Sequence, residues 1–104
     1  MSHTHPIALN VSHRLGKDEA LRRVKSGLDD VRARYRAQLV VAEENWADNR
    51  LTYRVAVLGQ TTTGVIEVGE SEVRVAAELS WLIAYQAPAA EALIRKEAAA
   101  ILMG

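Results

Sequence analysis

Two stretches of this chain alternate apolar and polar residues with the period of a β-strand. The apolar positions are Leu51, Tyr53, Val55 and Val57 in the first stretch and Val73, Val75, Ala77 and Leu79 in the second. The positions between them carry Thr52, Arg54, Glu72, Arg74 and Glu78. Because successive strand residues point to opposite faces, this pattern predicts an antiparallel sheet that is buried on one face and solvated on the other.

Two further segments have the apolar spacing of a helix. The first begins at Lys17, carries two acids in its opening turn, and places apolar residues three and four apart at Leu21, Val24, Leu28, Val31 and Tyr35. The second runs from Ala89 to Met103 directly after Pro88, a residue that suits the first turn of a helix. Each helix is expected to bury one face against the sheet.

The remaining strands complete a predicted order of β-α-β-β-β-β-α. Alternation at Ile7, Leu9 and Val11 indicates a first strand, residues 39–58 a hairpin, and residues 64–68 a short fourth strand. Residues 59–63 are polar and are expected to form a loop. The whole predicts a single two-layer α+β domain over residues 7–104, with two helices on one face of an antiparallel sheet, after a flexible tail over residues 1–6.

The composition is that of an ordinary globular domain and excludes several classes of function. The 104 residues carry 13 basic and 13 acidic side chains, so no net field steers the chain to nucleic acid or to a membrane. The absence of cysteine excludes disulfides and thiolate metal sites. Neither a signal peptide nor a transmembrane segment is recognisable, and the cytoplasm is the expected location.

No set of residues has the spacing of a catalytic site. Ser71 and Ser80 lie outside any Gly-x-Ser-x-Gly turn, and the acidic pairs 43–44 and 70/72 fall at strand ends or turns, where carboxylates are solvated. An enzymatic alternative would rest on His13 with a neighbouring carboxylate, although capping the following helix or hydrogen-bonding near its start is the simpler role for this histidine. The sequence therefore predicts a non-enzymatic protein without catalytic residues.

Metal, cofactor and nucleic-acid sites are not indicated either. His3 and His5 are the nearest approach to a metal-binding pair, and they lie in the predicted tail with no cysteine to join them. The glycines at 59, 64 and 69 separate strands and do not lead into a helix, as a phosphate loop requires. In the basic stretch 22–36, three arginines follow an acid by one helical turn and no aromatic set interleaves with them, so nucleic acid is not an expected partner.

The segment from Trp81 to Tyr85 is the first candidate for a binding surface. Its large apolar residues are Trp81, Leu82, Ile83 and Tyr85. Two interpretations are open. The segment closes one end of the core, or it forms an exposed apolar patch that binds a partner, a second copy of the chain or a hydrophobic surface.

Two other interaction sites are candidates. An apolar pocket between helix and sheet would be lined by Tyr35, Trp46 and Tyr53 and would bind a small apolar ligand. A homodimer would form if a sheet edge, or the open sheet face that bears Ala56 and Ala76, paired with its copy.

Several short motifs occur together in an order that resembles one bacterial family. They are His13-Arg-Leu-Gly16 followed by Ala20, the hairpin segment Trp46 to Tyr53, the strand segments Gly64 to Val68 and Val73 to Leu79, and a closing helix after Pro88. The pattern spans about residues 10–103 and resembles the polyhydroxyalkanoic acid system family, small bacterial proteins associated with polyhydroxyalkanoate granule genes. The polar segment 60–63 and the N-terminal tail depart from the family pattern.

The resemblance implies a bacterial cytoplasmic protein with a role in the formation or regulation of storage granules. It supplies no catalytic residues, because the family has no established activity. Together with the segment Trp81 to Tyr85, it favours a non-enzymatic accessory protein that binds the granule surface or a granule protein. The alternative is a protein that binds a small apolar ligand in the pocket between helix and sheet.

Overall fold

The computed structural model describes residues 4–57 and 59–103, and its elements follow the predicted order. The strands are β1 (Thr4–Ser12), β2 (Leu39–Ala47), β3 (Arg50–Val57), β4 (Gln60–Val68) and β5 (Glu72–Ser80). The helices are α1 (Lys17–Arg34) and α2 (Ala87–Met103), and a short 3-10 helix (Trp81–Gln86) precedes α2. The predicted α+β class is confirmed.

The five strands form one antiparallel sheet in the order β1-β5-β4-β3-β2. Strands β2 to β5 pair as successive hairpins, whereas β1 pairs with β5 and places Ile7 opposite Ala77. This last pairing joins segments that are far apart in the chain, so the alternation within each strand did not reveal it. Strands β1 and β2 are the two edges.

The predicted alternation between a buried and a solvated sheet face is confirmed. In β5, Val73, Val75 and Ala77 are buried while Arg74 and Glu78 are exposed. In β3, Leu51 and Val55 are buried in the same way. The residues therefore pack according to the two-residue period of the strand.

Both helices lie on the buried face of the sheet. Val24 of α1 and Leu102 of α2 belong to the same core cluster as Val73 of β5. The helices approach each other at Gly27, where an added Cβ would lie 2.4 Å from Cγ1 of Ile101. A residue without a side chain at this position therefore permits close contact between the helices.

The start of the chain differs from the expected tail. Residues 4–6 belong to β1 and pair with residues 78–80 of β5, since the edge of β5 is long enough to extend the ladder. Residues 1–3, and with them His3, lie outside the described part of the chain, as does Gly104.

The expected loop at 59–63 is corrected to a strand. Residues 60–63 extend β4, and Thr62 lies opposite Val55 of β3. Threonine is β-branched and favours strands, and the turn is confined to the neighbourhood of Gly59, whose φ is 76°. Leu58, the expected end of the third strand, lies outside the described residues.

Candidate functional site

A cavity of about 350 Å³, partly open to solvent, lies between the two helices and the sheet. Its roof is formed by side chains from both helices: Val24, Leu28 and Val31 from α1, Tyr35 directly after α1, and Leu93, Ile94, Ala98 and Ile101 from α2. These residues belong to the helical stripe that the sequence predicted, of which Leu21 lies outside the lining. This stripe faces the sheet across an open space, whereas the interior of a closely packed domain holds few voids larger than a water molecule.

The floor of the cavity is the buried face of the sheet. Leu51 and Val55 of β3, Ile66 of β4 and Val75 of β5 line it with hydrocarbon. The cavity is of the size of small-molecule sites, which are mostly apolar with a small number of polar groups. Its lining therefore suits an apolar molecule.

An ion pair between α1 and β2 lies at the wall of the cavity. Arg32 of α1 binds Glu44 of β2, and both side chains contribute to the lining. Glu44 faces the helix because a bulge between Val41 and Glu43 shifts the pairing of β2 by one residue. The two charges neutralise each other, so this side of the cavity presents no net charge.

A second ion pair joins the helices. Glu97 of α2 is 9% exposed and accepts hydrogen bonds from Arg34 Nη1 at 3.0 Å and from Tyr35 Oη at 3.1 Å. The hydrogen bond from Arg34 lowers the pKa of Glu97 below its ordinary value. The pKa of Tyr35 is raised, because its hydroxyl donates to this carboxylate. These contacts fasten the end of α1 to α2 beside the cavity.

Tyr53 crosses the floor of the cavity and covers Gly64. Its hydroxyl donates to the carbonyl oxygen of Ala76 at 3.1 Å. A Cβ at Gly64 would lie 2.3 Å from this hydroxyl, so only glycine leaves room for the ring. Burial raises the pKa of Tyr53 to about 12.

Of the three pocket residues predicted from the sequence, the structure brings two together. Tyr35 and Tyr53 line the cavity, whereas Trp46 lies outside its lining. The ring of Trp46 is instead covered by Lys25 of α1, with Nζ 5.0 Å from the ring centroid. Trp46 also packs against the core cluster that includes Val24.

Thr62 is a wall residue that the sequence analysis missed. Its side chain is 4% exposed, and its Oγ1 has no hydrogen-bond partner within the described part of the chain. It lines the cavity on the helix-facing side of β4. The signal was present in the β-branched run 61–63, which is typical of a strand, but the polarity of this run favoured a loop.

In the segment Trp81 to Tyr85, three of the large apolar side chains are exposed and the fourth is buried in the core. Trp81, Leu82 and Tyr85 are 61%, 51% and 75% exposed, and together they form what we call the aromatic patch. Ile83 is 6% exposed and belongs to the core, so its assignment to the binding surface is corrected. The backbone at Ile83 departs from helical geometry within the 3-10 helix, and its side chain packs inward.

His13 connects two turns. Its Nδ1 accepts a hydrogen bond from the backbone N–H of Leu15 at 3.1 Å, and its Nε2 lies 3.0 Å from the carbonyl oxygen of Gly69. This arrangement suits the neutral tautomer with its proton on Nε2, which then donates to Gly69. Both ring nitrogens are thus engaged by the backbone just before the helix, whereas no side chain caps the N-terminus of α1, so His13 hydrogen-bonds near the helix start without capping it.

The described residues, 4–57 and 59–103, contain no group of three or more His, Asp or Glu side chains placed to hold a metal ion. None of their helices is long and apolar enough to cross a membrane.

The fold and the cavity define a two-layer α+β protein with an apolar chamber between its helices and its sheet. The family model described as "Putative polyhydroxyalkanoic acid system protein" matches residues 7–102, and the chain therefore belongs to this family. No curated protein and no solved structure matches the chain. The family resemblance stated from the sequence motifs is confirmed.

Proposed function

We propose that this protein is a non-enzymatic accessory protein of the polyhydroxyalkanoate system that acts in the formation or regulation of storage granules. Membership of the family supports the link to this system. The observation that carries the mode of action is the aromatic patch on the 3-10 helix. The protein would work in the cytoplasm, on the surface of the granule or on a protein bound there.

The aromatic patch consists of residue types that suit an interface. Tryptophan and tyrosine combine a large apolar ring with a polar group, so they suit boundaries between an apolar phase and water. In the patch, Trp81 and Tyr85 are mostly exposed, and Leu82 adds aliphatic surface between them. Ile83 anchors the same short helix in the core, which holds the three exposed side chains on a supported backbone.

The role of His13 supports a non-enzymatic protein. An enzymatic mechanism based on this residue would need a free ring nitrogen close to a reacting group. Both nitrogens are instead within hydrogen-bond distance of backbone groups of Leu15 and Gly69.

Fractionation of a polyhydroxyalkanoate-producing bacterium tests the proposal. The wild-type protein is expected in the granule fraction, and Trp81→Ser combined with Leu82→Ser is expected to move most of it to the soluble fraction. The matched control is Val40→Ser combined with Met103→Ser, which removes two other exposed apolar side chains and should leave the distribution unchanged. A folded double variant at 81 and 82 that stays on granules would contradict the assignment of the patch.

The cavity favours a second candidate function, the binding of a small apolar ligand between helix and sheet. Tyr35 and Tyr53 already stand in its lining. Ligand binding and granule binding use different surfaces of the domain, so one protein can perform both.

Homodimer formation stays a prediction. The edges available for pairing are β1 and β2, and the open sheet face includes the exposed Ala76. The mass of the protein in solution, measured by sedimentation equilibrium, tests this prediction directly.

A further inference from the structure

The two edge strands of the sheet differ in how far they are protected against pairing with a further strand. Strand β1 contains Pro6, which has no N–H to donate to another strand, and helix α2 packs against this side of the sheet. Strand β2 contains no proline, and the backbone groups on its outer side remain available. The edge of β2 is therefore the one that is open to pairing.

The bulge in the middle of β2 separates two unlike halves of the strand. The second half carries two glutamates and is held to α1 by the ion pair of Arg32 with Glu44. Lys25 of α1 covers the ring of Trp46 in the same half. Its charges and its contacts with α1 make this half unsuited to pairing with another strand.

The first half of β2, Leu39 to Ala42, is apolar throughout. Val40 lies on the open face of the sheet and is largely exposed. Leu39 and Val41 point to the other face, where both line the cavity and are only half-buried. An uncharged, extended segment is the partner that suits such an edge, and a second copy of the chain carries one in the same place.

Symmetry fixes the register of such a pairing. Two identical antiparallel strands are related by a two-fold axis, and directly opposite residues lie on the same face of the sheet. With Val40 on the axis, Val40 faces its own copy and Leu39 faces Val41 of the second copy. The apolar face of one copy then continues into that of the other. A shift of one residue would turn these side chains to opposite faces.

The charges favour this register over one in the second half of β2. With Val40 on the axis, the exposed Arg36, in the turn before β2, reaches the level of Glu44 of the second copy, so opposite charges meet. A pairing centred on Asn45 would instead gather Glu43 and Glu44 of both copies at the centre of the interface. Like charges at this distance repel, which disfavours the second arrangement.

We propose that two copies of this protein associate through the first half of β2, with Val40 on the two-fold axis, and join their five-stranded sheets into one. The inference rests on the homodimer prediction and names its interface and register. It is independent of granule binding, because the aromatic patch follows β5, which is separated from β2 by two strands. So short a pairing buries less than the roughly 1,600 Å² of a standard interface, and a reversible dimer is expected, with a dissociation constant of roughly 1 μM or above.

Single cysteines test the register, because the chain has no cysteine of its own. Under mild oxidation, Val40→Cys is expected to form a disulfide-linked dimer, since directly opposite strand residues have the spacing of a disulfide. Ala8→Cys is the matched control, at an exposed position of β1 on the same sheet face. Asn45→Cys tests the alternative register in the second half of β2. Both of these variants should remain monomeric on a non-reducing gel.

Sedimentation equilibrium measures the association without a cross-link. The wild type is expected to show a monomer–dimer equilibrium, and Val40→Lys should weaken it by roughly tenfold or more, because two ammonium groups would meet on the axis. Ala8→Lys places the same charge on the other edge strand and should leave the equilibrium unchanged. Circular dichroism establishes that both variants are folded.

The possible outcomes distinguish the interface from the dimer itself. A wild-type protein that stays monomeric up to about 1 mM overturns the inference and the homodimer prediction together. A dimer that folded Val40→Lys leaves intact overturns the β2 interface and retains the homodimer prediction. Cross-linking of Asn45→Cys in place of Val40→Cys overturns the register. If Val40→Lys fails to fold, the cysteine variants and the wild-type equilibrium decide between these outcomes.

Discussion

At the scale of single residues, Tyr53 and Gly64 act as a pair. The tyrosine ring lies where the glycine has no side chain, and its hydroxyl reaches the backbone of Ala76 on the next strand but one. The contact spans three strands and brings an aromatic ring onto the floor of the cavity. The sequence shows the alternation that turns Tyr53 inward, but the register that places it over Gly64 is a property of the folded sheet.

The buried hydroxyl of Tyr53 predicts a pH dependence of stability. Its pKa is raised from 10.0 to about 12, so the unfolded chain releases this proton at a lower pH than the folded protein. The free energy of unfolding is therefore expected to fall as the pH rises from about 10 to about 12, by up to about 2 kcal/mol.

Urea unfolding of the wild type and of Tyr53→Phe across this pH range checks the prediction. The variant should lose about 1 kcal/mol at neutral pH, since one hydrogen bond is removed, and should show a shallower decline at alkaline pH. Tyr85→Phe, at an exposed position, is the control. Equal alkaline slopes for the wild type and Tyr53→Phe would contradict the assignment.

At the scale of elements, the packing of α1 against α2 determines which charged side chains form ion pairs. The sequence predicts favourable pairs one turn apart within α1, and Glu19 does bind Arg23 in this way at 2.9 Å. Arg34 instead binds Glu97 of the other helix. Local spacing identifies pairs that are available within a helix, whereas the packing of the helices determines which one forms.

The ion pair between Arg34 and Glu97 predicts that the protein loses stability in acid. The pKa of Glu97 is lowered by Arg34, so its contribution is complete above the pKa of an unfolded glutamate and disappears as the pH falls below about 4.5. Glu97→Gln should have a lower melting temperature than the wild type at neutral pH, and the difference should shrink in acid.

Thermal unfolding followed by circular dichroism at a series of pH values measures this difference. Glu91→Gln removes the same charge from the same helix and serves as the control. If Glu91→Gln and Glu97→Gln behave alike, the effect belongs to the net charge of α2 and not to the contact with Arg34.

At the scale of the whole molecule, the side chains that line the cavity have fewer neighbours than they would have in a filled core. Small residues that line it, among them Ala77 and Ala98, leave space between sheet and helices. Empty apolar volume lowers stability because the atoms that line it lack neighbours. A ligand that fills this volume is expected to stabilise the fold as it binds.

A larger side chain on α2 that fills the cavity should raise the stability of the protein while it abolishes ligand binding. Ala98→Leu is expected to raise the free energy of unfolding by about 1 kcal/mol and to abolish binding of isopropylbenzene, because the added side chain occupies the same space. Chemical denaturation measures the first effect, and a nuclear magnetic resonance titration with isopropylbenzene as the apolar probe, followed through the methyl signals of the cavity-lining Leu, Ile and Val residues, measures the second. Ala92→Leu, at an exposed position of the same helix, should change neither. Destabilisation by Ala98→Leu with unchanged probe binding would show that the cavity lies elsewhere than Ala98.

Much of the fold is readable from the sequence because strand and helix periods are local. The positions Val73, Val75 and Ala77 alternate, and the α1 stripe recurs every three or four residues, so elements and inward faces follow directly. The candidate sites are less readable. Ile83 stands among exposed apolar neighbours but is itself buried in the core, and Trp46 turns toward α1 rather than into the cavity.

The sequence by itself determines the α+β class, the order of the elements, the apolar face of the sheet and the family, because each depends on patterns within short segments. The tertiary structure alone decides the pairing of β1 with β5, the ion pair of Arg34 with Glu97, and the distance between helices and sheet that opens the cavity. These depend on contacts between residues that are remote in the chain. Periodicity states which side of an element is apolar, but the packing of the elements determines whether that side meets another side chain or an open space.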